Sequence, residues 1–218
     1  MATLRVRYQT IEFGTTDIHI RSLRDNQEFS DDKGDAEELG ISSASWPLFG
    51  IVWPSGEVLA QLMVDYAVGE KRILEVGCGI ALASLVLNHR QANITATDYH
   101  PEAEGFLIKN TALNQDKTIP FIRTGWKDPV TDLGIFDVII GSDLLYESEH
   151  VDLLSEFINQ HAATHCDIIL VDPGRGHHAK FSKKMVALGY SHNQRKAETT
   201  ITMKSSAKFS GQVLTYSR

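Results

Sequence analysis

From residue 71 onward short apolar β runs alternate with helical stretches, and this alternation restricts the fold more than any other feature of the chain. The apolar runs are Ile73–Val76, Ile94–Thr97, Ile119–Ile122, Phe136–Ile140 and Ile168–Val171, with helical patterns between them at 80–90, 101–114, 148–163 and 177–188. Leu82, Leu85, Val86 and His89 keep helical spacing. Pro101, Glu102 and Glu104 open the next helix with acids where the macrodipole favours them, and Gly189 suits a helix stop. Strands and helices joined by short connections specify a largely parallel sheet covered on both faces, an α/β fold. Thr199–Met203 and Gln212–Tyr216 read as two further strands around Ser205-Ser206, which adds an antiparallel C-terminal hairpin.

The first part of the chain has a different pattern. Leu4, Val6 and Tyr8 alternate, as do Ile18 and Ile20 after Gly14-Thr15-Thr16, predicting an N-terminal β-hairpin. Residues 24–45 are acidic and polar, a loop or short helix. An aromatic-rich run from Trp46 to Pro54 follows, and Pro54 starts a helix striped by Val58, Leu59, Leu62, Met63 and Tyr66. The expected division is a hairpin and acidic loop over 1–45 and the main α/β domain over 46–218.

Charge and composition exclude several functions. With 21 Lys and Arg against 28 Asp and Glu the net charge is −7, which argues against general nucleic-acid binding. The two cysteines, Cys78 and Cys166, have no paired spacing, so a disulfide framework and a structural zinc cluster are not expected. No apolar leader or membrane-length run is present, and the expectation is a soluble, cytoplasmic monomer without membrane contact. Nine histidines include His161 and His165 at i,i+4 and the adjacent His177-His178, but no third ligand stands at a metal-type spacing. They read as solvent-facing, with no metal.

The chemistry concentrates at the first βα turn, Glu75-Val76-Gly77-Cys78-Gly79. Gly77 and Gly79 allow a tight turn and close approach to a ligand, and Cys78 between them offers a backbone N–H. Asp98 closes the second strand of the alternation, where an acid can accept both hydroxyls of a ribose. A dinucleotide site would want glycine at position 82, which is Leu82, and Glu75 would repel a pyrophosphate. Glu75 suits the ammonium of a methionine moiety, and this sign argument selects S-adenosylmethionine (SAM) over NAD.

These residues, together with Phe136-Asp-Val-Ile-Ile-Gly-Ser-Asp-Leu-Leu-Tyr, resemble the class I, seven-strand SAM-dependent methyltransferases. The closest branch is that of small protein-lysine methyltransferases with Asp-x-x-Tyr after the fourth strand (family 16 type). Asp143-Leu144-Leu145-Tyr146 is that motif; Trp53-Pro54-Ser55-Gly56, Asn110 and Asn114 also resemble it. The likeness covers residues 46–175, and Ala81 departs from the commonest third glycine. It implies a Rossmann-like seven-strand sheet, with Asp143 and Tyr146 at the catalytic centre. Around the cofactor it implies Trp53, Glu75, Gly77, Cys78, Gly79, Asp98, Trp126 and Ser142. Asp143 captures and positions an amine; Tyr146 walls the methyl site. Arg175, on the loop after the fifth strand, is a candidate contact for an acidic substrate group. The expected substrate is a protein lysine. The alternatives are a small amine or heterocycle of nicotinamide type, or a SAM-binding module without turnover. Ser142-Asp143-Leu144-Leu145 stands where Asn-Pro-Pro-Tyr would signal an amide or adenine amine.

Overall fold

The computed structural model describes residues 4–128, 132–197 and 209–218. Two antiparallel strands, β1 (Val6–Phe13) and β2 (Thr16–Leu23), form the N-terminal hairpin. A one-turn helix, α1 (Asp35–Glu38), lies in the acidic segment, and α2 (Pro54–Val64) starts on Pro54 with Trp53 as its N-cap. The alternation follows as β3 (Arg72–Val76), α3 (Leu82–His89), β4 (Asn93–Asp98), α4 (Ala103–Leu113), β5 (Phe121–Arg123), β6 (Phe136–Ser142), α5 (His150–His161), β7 (Ala162–Asp172) and α6 (His178–Ala187). The chain closes with β8 (Ser191–Lys196) and β9 (Gln212–Ser217).

The seven-stranded sheet runs β5-β4-β3-β6-β7-β9-β8. Strands β3 to β7 pair in parallel, whereas β9 is antiparallel to both β7 and β8. Seven strands with an antiparallel C-terminal hairpin are as expected, but the partner of β9 differs. The predicted strand Thr199–Met203 lies outside the described residues; Ser191–Lys196, directly after α6, pairs with β9 instead. All six β8 residues are exposed and polar, so apolar alternation could not reveal this edge strand. The fifth parallel strand starts earlier than its apolar core, because the chain passes from α5 into β7 at Ala162 without a loop.

The period of two in the strands divides the core. Ile73, Val138 and Ile140 point to one side, packing with Leu59 and Met63 of α2, Leu85 of α3 and Phe106 of α4. Leu74, Val76 and Ile139 point to the other, with Leu154 and Ile158 of α5 and Phe181 of α6. The first cluster also contains Phe13, Ile18, Ile20 and Leu23, so the hairpin's apolar face is continuous with the core beside α3 and α4.

Asn110 and Asn114, one turn apart on α4, hold the hairpin's outer edge. Asn114 accepts the His19 N–H at 2.8 Å and donates to the His19 carbonyl at 2.8 Å. Asn110 does the same for Arg21, at 2.7 and 3.2 Å. Two side-chain amides thus replace a neighbouring strand. Asn110 is fully buried, so Asn110→Ala strands the Arg21 backbone groups. It is expected to lower unfolding free energy by about 1–3 kcal/mol, and Asn114→Ala, at a more exposed bond, by less. Denaturant midpoints of the two variants check this order.

Candidate active site

Chain order reverses between β3 and β6, which are neighbours in the sheet, and the crevice at their carboxyl ends is the ligand position of an open α/β fold. A cavity of about 820 Å³ opens there, lined by the turn after β3, the ends of β4 and β6, and residues between α1 and α2; small-molecule sites span roughly 300–1,000 Å³. Trp53, Glu75, Gly77, Cys78, Gly79, Asp98, Trp126, Ser142, Asp143 and Tyr146 all line it. The structure therefore brings together in one cavity every residue that sequence reasoning assigned to the site.

The glycine turn sets two carboxylates, Glu75 and Asp98, against backbone amides of the cavity wall. Gly77 and Gly79 have φ of 58° and 51°. Cys78 N–H donates to the Thr97 carbonyl at 2.9 Å, so its expected role toward a ligand is replaced by a structural one. Gly79 N–H donates to Asp98 Oδ2 at 2.7 Å, and Ala81 N–H to the Cys78 carbonyl at 2.7 Å. At the start of α3, Ser84 gives both its backbone N–H, at 2.9 Å, and its hydroxyl to Glu75 Oε2. The Cys78, Gly79, Ala81 and Ser84 amides are thus committed to protein acceptors, two of them to carboxylates.

Glu75 is almost fully buried. Burial raises its pKa from 4.5 to about 7, opposed by the Ser84 hydrogen bonds and assisted by nearby Asp98. Its Oε2 is taken by the N-terminus of α3, so Glu75 is a helix-capping carboxylate on the cavity wall. A raised pKa means that the folded protein holds a proton that the unfolded chain has released between pH ~4.3 and ~7. Glu75 thus favours folding below that window and opposes it as pH rises through about 7. Ligand-free protein is expected to gain stability, by about 3 kcal/mol at most, on acidification from pH ~8 to ~5 relative to Glu75→Gln. Melting temperatures of the two proteins across that range check the sign.

Asp98 ends β4 with Oδ2 on Gly79 N–H and Oδ1 on His100 N–H at 2.8 Å. Each carboxylate oxygen has a second lone pair, so the backbone bonds fix the acid and leave acceptor capacity for ribose hydroxyls. Next to it, Tyr99 donates its hydroxyl to the Leu39 carbonyl at 2.7 Å. His100 stacks on Phe49 at 4.0 Å, with Phe29 and Phe106 edge-on to Phe49. Trp46 and Trp53 donate their indole N–H to the Ile41 and Leu48 carbonyls, both at 2.9 Å. Leu39, Gly40, Ile41, Ser45 and Phe49 line the cavity, so the acidic segment belongs to the site. Sequence reasoning missed this because polar loop residues carry no periodic signal. It also missed His100, whose burial lowers its pKa to about 4 and keeps it neutral.

The Asp-Leu-Leu-Tyr turn is held by a wedge. A Cβ on Gly77 would lie 2.6 Å from Leu144 Cδ2, and one on Gly141 would lie 2.5 Å from Leu144 Cδ1. Leu144 therefore fills the space that both glycines leave. Asp143 just before it has φ 55°, a left-handed conformation that asparagine and aspartate tolerate better than other side chains. Asp143 N–H donates to the Val171 carbonyl at 2.9 Å. Its carboxylate receives Arg175 Nε at 2.9 Å and Arg175 Nη2 at 2.8 Å. Arg175 is thus on Asp143, not offered to an acidic substrate group. Tyr146 is half exposed at the rim, and its phenol is pushed up to about 12, by burial first and then by Asp98, Glu147 and Asp143. His150, at the start of α5, stands edge-on to Tyr146 at 4.5 Å and to Trp126 at 5.0 Å, adding to the aromatic wall a member that the sequence reading did not include.

The solvent-facing expectation for the histidines is corrected at His100 and His161, both buried. His161 is buried, with Nδ1 2.8 Å from the Gly134 carbonyl. Ligand atoms of Glu147, Glu149 and His150 lie within 4.8 Å of one another, but Glu149 pairs with Lys127 and His150 Nδ1 is 2.9 Å from the Leu144 carbonyl. No described helix is long and apolar enough to cross a membrane.

Comparison with known proteins agrees with this geometry. A family profile described as lysine methyltransferase matches residues 37–186. The chain belongs to the lysine methyltransferase family. It is an S-adenosylmethionine-dependent methyltransferase with the expected seven-strand fold. It is 28% identical over 176 residues to the electron transfer flavoprotein beta subunit lysine methyltransferase of Xenopus laevis, covering 79% of this chain and 68% of that protein. It is 30% identical over 103 residues to the histone-arginine methyltransferase METTL23 of Xenopus laevis, covering 44% of each. The chain spans 51–68% of the length of the flavoprotein methyltransferases it matches. The fold is also that of magnesium protoporphyrin IX methyltransferase from Synechocystis PCC 6803, solved with bound SAM. The TM-score is 0.57 at 20% identity, over 74% of this chain and 76% of that one. The match beginning at residue 37 agrees with the part that the acidic segment takes in the cavity of this family member.

Proposed function

We propose that this methyltransferase transfers the methyl group of SAM to the side-chain amine of a lysine on a protein substrate. The observation that carries the reading is Asp143, a carboxylate 14% exposed, held on the cavity wall and already holding a nitrogen cation. SAM, when bound, supplies an electrophilic sulfonium methyl. The protein's task is to orient an amine in line with that methyl, exclude water and receive the nitrogen in its neutral form.

At pH 7 only about four in ten thousand lysine amines are neutral, given a reference pKa near 10.4. A like charge ~4 Å away at an effective dielectric of ~20 costs about 4 kcal/mol, which lowers the amine pKa by roughly three units. A carboxylate at the same range offsets part of that, so Asp143 captures and aligns the amine by accepting its N–H and is not a strong base. Tyr146, whose phenol burial raises to about 12, presents a ring face that suits a cationic nitrogen. Glu75 and Asp98, on the cavity wall beside the glycine turn, would hold the cofactor.

The lysine family, the half-exposed Tyr146 at the rim and its exposed neighbour Glu147 support a protein substrate with a basic site. Cys78 and Cys166 are both free and buried, which fits a reducing compartment such as the cytoplasm. The test is methyl transfer from isotopically labelled SAM into a lysate from cells lacking the enzyme. Label in a discrete protein band supports the reading. Label confined to the small-molecule filtrate, with no protein band, replaces it with the small-amine alternative.

A further inference from the structure

Arg175 grips Asp143 through both ends of its fork, Nε to Oδ1 and Nη2 to Oδ2. Of the two side chains the arginine is the more solvent-reachable, at 46% exposure against 14%. It stands between Gly174 (φ 98°) and Gly176 (φ 90°), and a Cβ at either glycine would meet nothing within 4 Å. The loop around it is anchored on both sides. Asp172 Oδ2 accepts the Gly174 N–H at 2.9 Å, and α6 begins at His178. A short, uncrowded glycine-flanked loop therefore delivers a guanidinium to the carboxylate assigned to the incoming amine.

We propose that Arg175 sits in the place of the target amine, so that a lysine reaches Asp143 only by displacing the Arg175 fork. This rests on the reading of Asp143 as the amine's partner and sharpens the substrate class. A guanidinium matches a carboxylate bidentately, whereas an ammonium is a compact, strongly hydrated point charge. A free alkylamine has nothing further with which to displace the fork. A lysine on a docked protein surface has its neighbours' contacts behind it and a high effective concentration at the site. Arg175 is in this sense a specificity-determining residue, one that favours lysines presented by a docked partner over dissolved small amines.

The test measures binding of n-butylammonium, a lysine side-chain mimic, to protein saturated with S-adenosylhomocysteine. Wild type is compared with Arg175→Met and Arg175→Lys by calorimetric or NMR titration. Unchanged affinity for S-adenosylhomocysteine verifies that each variant retains the folded cofactor site, and Arg175→Gln stands in for Arg175→Met if that protein does not fold. Removing the fork is expected to tighten n-butylammonium binding about tenfold, equivalent to ~1.4 kcal/mol, with Arg175→Lys in between. Equal or weaker binding after Arg175→Met overturns the proposal and makes Arg175 a bystander or a helper of amine binding. The double variant Asp143→Asn with Arg175→Met separates the two layers. Loss of the gain keeps the amine at Asp143, whereas retention of tight binding overturns Asp143 as the amine's partner.

Discussion

Asp143→Asn is expected to lower kcat/KM for the protein substrate by about 10²-fold, the order of loss when a reacting group is no longer aligned, while affinity for S-adenosylhomocysteine stays within about twofold. Asparagine tolerates the left-handed conformation that Asp143 adopts at φ 55°, so the turn and the Leu144 wedge survive. What changes is charge. The amide no longer holds a cationic or partly protonated nitrogen, and one of its two ends is a donor facing Arg175 and the incoming amine. Steady-state kinetics with a saturating methyl donor, beside direct titration of S-adenosylhomocysteine, separates alignment of the amine from binding of the cofactor. Full activity in Asp143→Asn would remove the carboxylate from the mechanism.

Gly77→Ala is expected to damage both stability and cofactor binding. Its Cβ would stand 2.6 Å from Leu144 Cδ2, and the residue would keep a φ of 58°. Overpacking of this kind costs about 1–3 kcal/mol, and a left-handed alanine roughly 1–2 kcal/mol more. Leu144 must move, carrying Asp143 and the Asp-Leu-Leu-Tyr turn with it. Gly141→Ala provides the comparison: its Cβ meets Leu144 Cδ1 at 2.5 Å and the Val76 carbonyl at 3.1 Å, without the positive φ. Denaturation midpoints and S-adenosylhomocysteine affinities are expected to fall in both, and further in Gly77→Ala. Adding Leu144→Ala is expected to recover part of the loss at Gly141 and less at Gly77, because space is restored but the dihedral angle is not.

The fold was legible where burial enforces a pattern. Strands buried on both faces read as apolar runs, and β3, β4, β6 and β7 were found that way. Strand β8 escaped because all six of its residues are exposed, so pairing with β9, not apolar burial, makes it a strand. The site was legible where chemistry requires particular residue types on a turn: Gly77, Gly79, Asp98 and Asp143 could be read directly. Which atoms they touch could not. The capping of α3 by Glu75, the Cys78 N–H on Thr97 and the Arg175 fork on Asp143 depend on directions set by tertiary packing. So does the burial of His161, which its sequence spacing gave no reason to expect. Asn110 and Asn114 were visible only as part of a family likeness. In the structure they act as a substitute strand edge for residues 19 and 21, a role that joins elements about ninety residues apart.

Acid hydrolysis of the methyl-labelled substrate protein, followed by separation of the methylated amino acids, tests the central claim most directly. An amine held by Asp143 in line with the SAM methyl predicts label in methyl-lysine, reduced by about two orders of magnitude when Asp143→Asn is used. Label in methylarginine or methylhistidine, or label in methyl-lysine that is indifferent to Asp143, would contradict it.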